Sequence, residues 1–131
     1  VIEVVCGALI QQGKVLIARR NYGSSKGMYE FPGGKVEKNE TKEKALIREM
    51  KEELDIDIHT IQYLSESEDQ QEYPFHLTCF LCFSNQVPKM IVHDDFIWTT
   101  PDHIYDHHFF KSDIGLVKSL KKVWPYVSQN K

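Results

Sequence analysis

The chain has 131 residues, a formal net charge of −3 and a pI near 6.1. That length fits one domain, taken here as residues 1–131, whose folding removes roughly two-thirds of the extended chain's surface from water. The mild acidity argues against a general affinity for nucleic acid polymers, which asks for a basic stripe, and no apolar run approaches the ~20 residues that span a bilayer.

Two β-branched runs, Ile2 to Ile10 and Val15 to Arg19, flank the hairpin-like connection 11–14 and predict two strands. A polar, glycine-bearing loop follows over 21–27, and then a short strand from Tyr29 to Phe31. Phe31-Pro32-Gly33-Gly34-Lys35 reads as the end of that strand running into a paired-glycine turn. Paired glycines let backbone groups approach an ion or phosphate with no side chain between them; an ordinary turn is the other reading. A helix is predicted from about Thr41, an acceptable N-cap, to Leu54, with Leu46, Ile47, Met50 and Leu54 as the apolar stripe that docks it on a sheet. Beside that stripe Glu49, Glu52 and Glu53 share one helix face, their Cβ atoms about 5–6 Å apart. Like charges so placed repel, and a divalent cation would reverse the sign; oxygen donors with open positions suit Mg²⁺ or Mn²⁺. Taken alone, the cluster reads equally well as a solvated acidic face balanced by Lys42, Lys44 and Lys51.

Beyond the helix, Ile56 to Leu64 and Tyr73 to Phe83 predict two more strands, separated by an acidic loop from Ser65 to Glu72. The three cysteines, Cys6, Cys79 and Cys82, suit free buried thiols and a cytoplasmic location. Cys79 and Cys82 resemble half a zinc site, but residues three apart on a strand face opposite sides of a sheet and cannot converge. Phe96 to Trp98 reads as a last short strand, Pro101 to Tyr105 as a brief helix, and Ile114 to Val127 as a helix carrying Leu116, Val117, Leu120 and Val123 on one side. His103, His107 and His108 have a spacing that could chelate a metal on a continuous helix; Pro101 argues for reading them as surface residues.

Read from Gly34, the chain spells G-x5-E-x7-R-E-U-x-E-E-x-G-U, where U is a bulky aliphatic: Gly34, Glu40, Arg48, Glu49, Met50, Glu52, Glu53 and Ile56. This resembles the Nudix box. Asp55 stands where that family has its last glycine, at a helix end whose left-handed conformation Asp tolerates. Outside the box, Arg19 before the loop, the run Glu30 to Lys35, the strand Phe75 to Phe83 and the region of Trp98 are similar to the MutT-type nucleotide pyrophosphohydrolases.

The resemblance implies an α/β fold, an α/β/α sandwich with a mixed sheet. It also implies an Mg²⁺- or Mn²⁺-dependent hydrolase that splits a nucleoside triphosphate into monophosphate and pyrophosphate for nucleotide-pool sanitation. Oxidised guanine and cytosine nucleotides are the leading substrates. By the same resemblance the Gly33 carbonyl, Glu49, Glu52 and Glu53 hold the metal, Glu49 or Glu52 activates water, and Arg48 completes the catalytic set by holding the acids through a salt bridge. Gly34 and Glu40 are structural in the motif. Lys35 and Arg19 are the expected phosphate contacts, each otherwise a solvated surface charge, and Phe75 or Phe110 either stacks the base or completes the core. Asp113, just before the last helix, either reads the exocyclic amine of cytosine or N-caps that helix. MutT-type enzymes often carry a further Glu six residues before the tryptophan that here is Trp98; that position is Val92, so Asp94 or Asp95 either supplies the carboxylate or forms a polar turn. The expected partner is a small-molecule nucleotide, bound by a monomer or homodimer, with neither nucleic acid polymer nor membrane. The rivals are a Nudix hydrolase of a nucleoside diphosphate linked to another moiety, such as ADP-ribose, and a non-catalytic nucleotide-binding module; the intact glutamates argue against the second.

Overall fold

The computed structural model describes residues 1–69, 74–110 and 114–129. Among these residues seven strands share one mixed sheet: β1 (Ile2–Gln11), β2 (Lys14–Arg20), β3 (Tyr29–Glu30), β4 (Gly33–Lys35), β5 (His59–Asp69), β6 (Phe75–Phe83) and β7 (His93–Thr99). The strand order is β3-β2-β1-β6-β5, with β4 also paired to β1 and β7 to β2. β1 and β6 run parallel, from Ile2 beside Phe75 to Ile10 beside Phe83, and the other pairs are antiparallel. Helices α1 (Lys42–Leu54) and α2 (Ile114–Val127) and a 3-10 turn (Pro101–Asp106) complete the described elements.

The central strands are apolar on both faces because both faces are covered. Val5, Leu9, Leu16, Phe80 and Cys82 meet Ala45, Leu46, Met50 and Leu54 of α1. Residues of opposite parity, Cys6, Ala8, Ile10, Ile17, Cys79 and Leu81, meet Leu116, Val117 and Leu120 of α2. The result is a sandwich of helix, sheet and helix. Cys79 and Cys82 therefore lie in different cores, as their spacing predicts, and all three cysteines are buried and outside any disulfide among the described residues.

Four local expectations change. Gly33 and Gly34 form a strand rather than a turn. Ile47 is 43% exposed, and Ala45 takes its place on the buried stripe of α1. Of the segment expected as an acidic loop, residues 65–69 continue β5 and residues 70–72 lie outside the described residues, and β7 begins at His93 instead of Phe96.

The ends of α1 behave as their residue types dictate. The Thr41 hydroxyl accepts the Lys44 N–H at 3.1 Å. At the other end Asp55 adopts φ 53, ψ 45, and its N–H donates to the Lys51 carbonyl at 3.1 Å. Lys51 and Lys89 pair with the Asp55 carboxylate at 3.3 and 3.0 Å, which offsets the strain of a side chain in the left-handed region.

Away from the acidic face, His76 of β6 bridges two strands. Its Nδ1 lies 2.8 Å from Glu3 Oε1 on β1, and its Nε2 contacts Glu66 on β5. Tyr63 donates to Glu66 at 2.9 Å, and Lys42 stands 3.7 Å from Glu3. Only a protonated imidazole donates to both carboxylates, so Glu3 and then Glu66 raise the His76 pKa from its ordinary 6.5, while His76 lowers Glu3, and Tyr63 and then His76 lower Glu66. Stability from His76 is present in full below pH 6.5 and is lost as pH rises through the raised value; that from the acids is lost as pH falls below 4.5 through their lowered values. Urea unfolding at a series of pH values should show His76→Gln losing the decline in stability that the parent undergoes above pH 6.5. An unchanged slope would mean that the bridge does not form.

Candidate active site

β4 is squeezed between β1 and α1. A Cβ at Gly33 would fall 2.0 Å from the Val5 carbonyl oxygen, and one at Gly34 would fall 2.3 Å from Glu49 Oε2. Both glycines are thus required for close approach, not for a left-handed turn, since positive φ among glycines occurs at Gly13, Gly23 and Gly27. The missing side chains let the Glu49 carboxylate lie directly on the β4 backbone.

Arg48 ties this region together. Its Nε and Nη2 hold Glu40 Oε2 and Oε1 at 2.8 and 3.0 Å, the bidentate fork geometry of a guanidinium on a carboxylate. Nη2 also donates to the Lys35 carbonyl at 2.9 Å, while Nη1 reaches Glu49 at 3.4 Å and Glu52 at 3.2 Å. Glu40 in turn accepts the Glu37 N–H at 3.0 Å, pinning the loop between β4 and α1. Arg48 first, and then that N–H, hold the Glu40 carboxyl down at about 2. Glu40 thus links Arg48 to the loop before α1, and Arg48 also reaches two of the three acids, Glu49 and Glu52.

The three acids differ in exposure. Glu49 and Glu53 side chains are 11% and 14% exposed, whereas Glu52 is 56% exposed. Burial raises Glu49, with Arg48 pulling the other way. Burial first, then Glu49 and Glu30, push Glu53 up to about 8, against a lowering by the Gly33 N–H. Glu53 Oε1 is buried without a hydrogen-bond partner. Two adjacent buried carboxylates whose charge is disfavoured, one with an unsatisfied oxygen, fit a hard divalent cation. Among the described residues no three Asp, Glu, His or Cys side chains are grouped so as to hold a metal ion as they stand. A cation here would draw on Glu49, Glu53, Glu52 and backbone or water oxygens, the open coordination that Mg²⁺ keeps.

A cavity of about 350 Å³ lies along β4, whose Gly34 the Glu49 carboxylate touches, though none of the three acids lines it. Gly33, Gly34 and Lys35 line one side, with Phe75 and Leu77 of β6 and Phe110 elsewhere on its wall. Lys35 and Phe75, expected as phosphate and base contacts, both line this cavity. Arg19 is not among the lining residues: its Nε pairs with Asp94 at 2.6 Å, and its guanidinium lies over the Tyr29 ring. Arg20 lines the cavity instead, its guanidinium 5.4 Å from the ring centroids of both Tyr22 and Phe110 and its Nε 3.2 Å from Glu30 Oε1. A register irregularity between Arg19 and Arg20 separates the two. Asp94 pairs with Arg19 and Asp95 accepts from the Tyr29 hydroxyl, and both belong to β7 rather than to a turn. Asp113 lies outside the described residues.

Three residues of the site escape sequence reasoning: Arg20, Glu30 and His93. Doubled arginines at a strand end do signal that one of them faces inward. Nothing in the sequence distinguishes a buried His93 from a polar one.

The Nudix domain model matches residues 2–121. The CTP pyrophosphohydrolase of Escherichia coli (strain K12) is 29% identical over 126 residues, 91% of this chain and 90% of that protein. An 8-oxo-dGTP diphosphatase of Proteus vulgaris is 48% identical over 56 residues, 42% of this chain and 47% of that protein. Among solved structures, the solution structure of the E. coli ORF135 protein superposes with a TM-score of 0.82 at 27% identity, covering 99% of this chain and 94% of that one.

Proposed function

Because this chain belongs to the Nudix family, we propose that it cleaves a nucleoside triphosphate to monophosphate and pyrophosphate, with cytosine or oxidised guanine nucleotides as substrates and Mg²⁺ or Mn²⁺ as cofactor. It is a hydrolase acting on phosphoric anhydride bonds. Family members generally use a divalent metal and bind small nucleotides. The observation that carries the proposal is the burial of Glu49 and Glu53 beside the more exposed Glu52, next to a glycine strand that lines a nucleotide-sized cavity.

In this reading Glu49, Glu52, Glu53 and the Gly33 carbonyl hold the cation. Bound there, it would neutralise phosphate oxygens and acidify a water molecule. Glu52, the acid that reaches solvent, takes the proton of the attacking water, while Arg48 keeps its carboxylate oriented. Lys35 meets the phosphates, and Phe75 and Phe110 flank the base. Asp113 favours cytosine through its exocyclic amine. The names of the two relatives support both candidate bases. No helix among the described residues is long and apolar enough to cross a membrane; three buried cysteines outside any disulfide support a cytoplasmic setting, and the working unit is one domain, as a monomer or homodimer.

Steady-state kinetics on CTP, dCTP, 8-oxo-dGTP, the common triphosphates and ADP-ribose test the proposal. One cytosine or oxidised guanine nucleotide should exceed the rest in kcat/KM by ~10-fold or more. Faster hydrolysis of ADP-ribose than of any triphosphate would overturn it.

A further inference from the structure

Behind the acidic face, side chains from three elements meet out of solvent: Glu30 at the end of β3, Glu53 in the last turn of α1 and His93 at the start of β7. The His93 side chain is 1% exposed, with Nε2 at 3.1 Å from Glu30 Oε2 and 4.0 Å from Glu53 Oε1. The other Glu30 oxygen stands 3.2 Å from Arg20 Nε, an ion pair rather than a hydrogen bond, and β-pairing of His93 with Arg20 sets the level of the imidazole. Three buried atoms here lack a hydrogen-bond partner: Arg20 Nε, Glu53 Oε1 and His93 Nδ1.

A hydrogen bond to Glu30 requires the imidazole to carry a proton on Nε2. That N–H is committed to Glu30, and the Glu53 oxygen beside it stands beyond hydrogen-bond length but within electrostatic reach. Glu53 Oε1 is therefore kept close to a fixed dipole without being consumed by it. A buried acceptor left unmatched in this way remains available to a ligand.

We propose that His93 is a positioning residue for Glu53: locked by Glu30, its imidazole holds the Glu53 carboxylate in one orientation with an oxygen free for the divalent cation. The proposal rests on the reading of Glu53 as a cation ligand. Partners of this kind, one step removed from a metal, typically govern its affinity by 10- to 100-fold.

The test exploits amide geometry, since glutamine places its nitrogen near the position of Nε2 and asparagine near that of Nδ1. Mn²⁺ is titrated calorimetrically into nucleotide-free parent, His93→Gln, His93→Asn, Glu53→Gln and the Glu53→Gln/His93→Asn double variant, with unfolding midpoints recorded alongside. His93→Asn should weaken Mn²⁺ binding by ~10-fold or more, His93→Gln should stay close to the parent, and His93→Asn should add nothing once Glu53 is gone. Equal loss in the two single His93 variants, no loss in either, or the same loss without Glu53 would overturn the proposal. Should His93→Asn not fold, Glu30→Leu releases the same imidazole and carries the same expectation. If Glu53→Gln alone leaves Mn²⁺ affinity unchanged, the ligand reading fails and takes this proposal with it; if only the His93 variants are silent, the ligand reading stands and His93 does not position it.

Discussion

Exchanging Glu52 and Glu53 together for glutamine is expected to lower kcat for pyrophosphate release by ~10³-fold or more, because it removes a base and a cation ligand from one site. The same exchange should leave the unfolding midpoint unchanged or raise it. Burial already pushes Glu53 up to about 8, so at neutral pH the folded protein holds it largely protonated at a cost that the unfolded chain does not bear, and an amide of the same shape removes that cost. Loss of rate with stability kept or gained marks residues retained for chemistry. Initial rates and thermal unfolding on the same preparations measure both. Activity within tenfold of the parent would remove Glu52 and Glu53 from the site.

Arg48→Lys is expected to act in the opposite sense, on fold and rate together. The guanidinium satisfies both oxygens of Glu40, the Lys35 carbonyl, Glu49 and Glu52 at once, with only 24% of its side chain exposed. An ammonium is a point charge without that planar fork and cannot reproduce the set. Partial exposure keeps the expected loss to about 2 kcal/mol, in the range of a few charge-assisted hydrogen bonds. The larger effect falls on rate, since Glu52 loses its orienting donor and the loop held by Glu40 is freed. Urea unfolding and steady-state kinetics separate the two components. A lysine variant matching the parent in both would mean that charge alone suffices.

The helix that carries the acids was legible from the sequence because its signals agree: Thr41 at the N-cap, the apolar stripe and a left-handed residue at its end. Asp55, odd at a position the family gives to glycine, is intelligible once Lys51 and Lys89 are seen to pair with it. Cys79 and Cys82 separated onto opposite faces by strand parity alone. Other features depend on contacts that no local pattern encodes. Gly33 and Gly34 read as a turn because a close approach between α1 and β1 leaves the same residue type as a turn does. The polar end of β5 read as a loop because it lies on an outer strand, where Glu66 and Glu68 can stay exposed. Arg19 and Arg20 exchange roles through an irregularity that a strict alternation does not contain. His93 is buried by the pairing of β7 with β2, a contact more than seventy residues apart in the chain, so its neighbours in sequence say nothing of its neighbours in space.

Phosphorus NMR of the products reads the bond that is broken. With Mg²⁺ and a mixture of CTP, 8-oxo-dGTP and the common triphosphates, the protein should produce pyrophosphate and the matching nucleoside monophosphate, and chelation of the metal should stop it. Orthophosphate with a nucleoside diphosphate, or spectra unchanged for every triphosphate, would contradict the assignment of Glu49, Glu52 and Glu53 to a pyrophosphate-releasing centre.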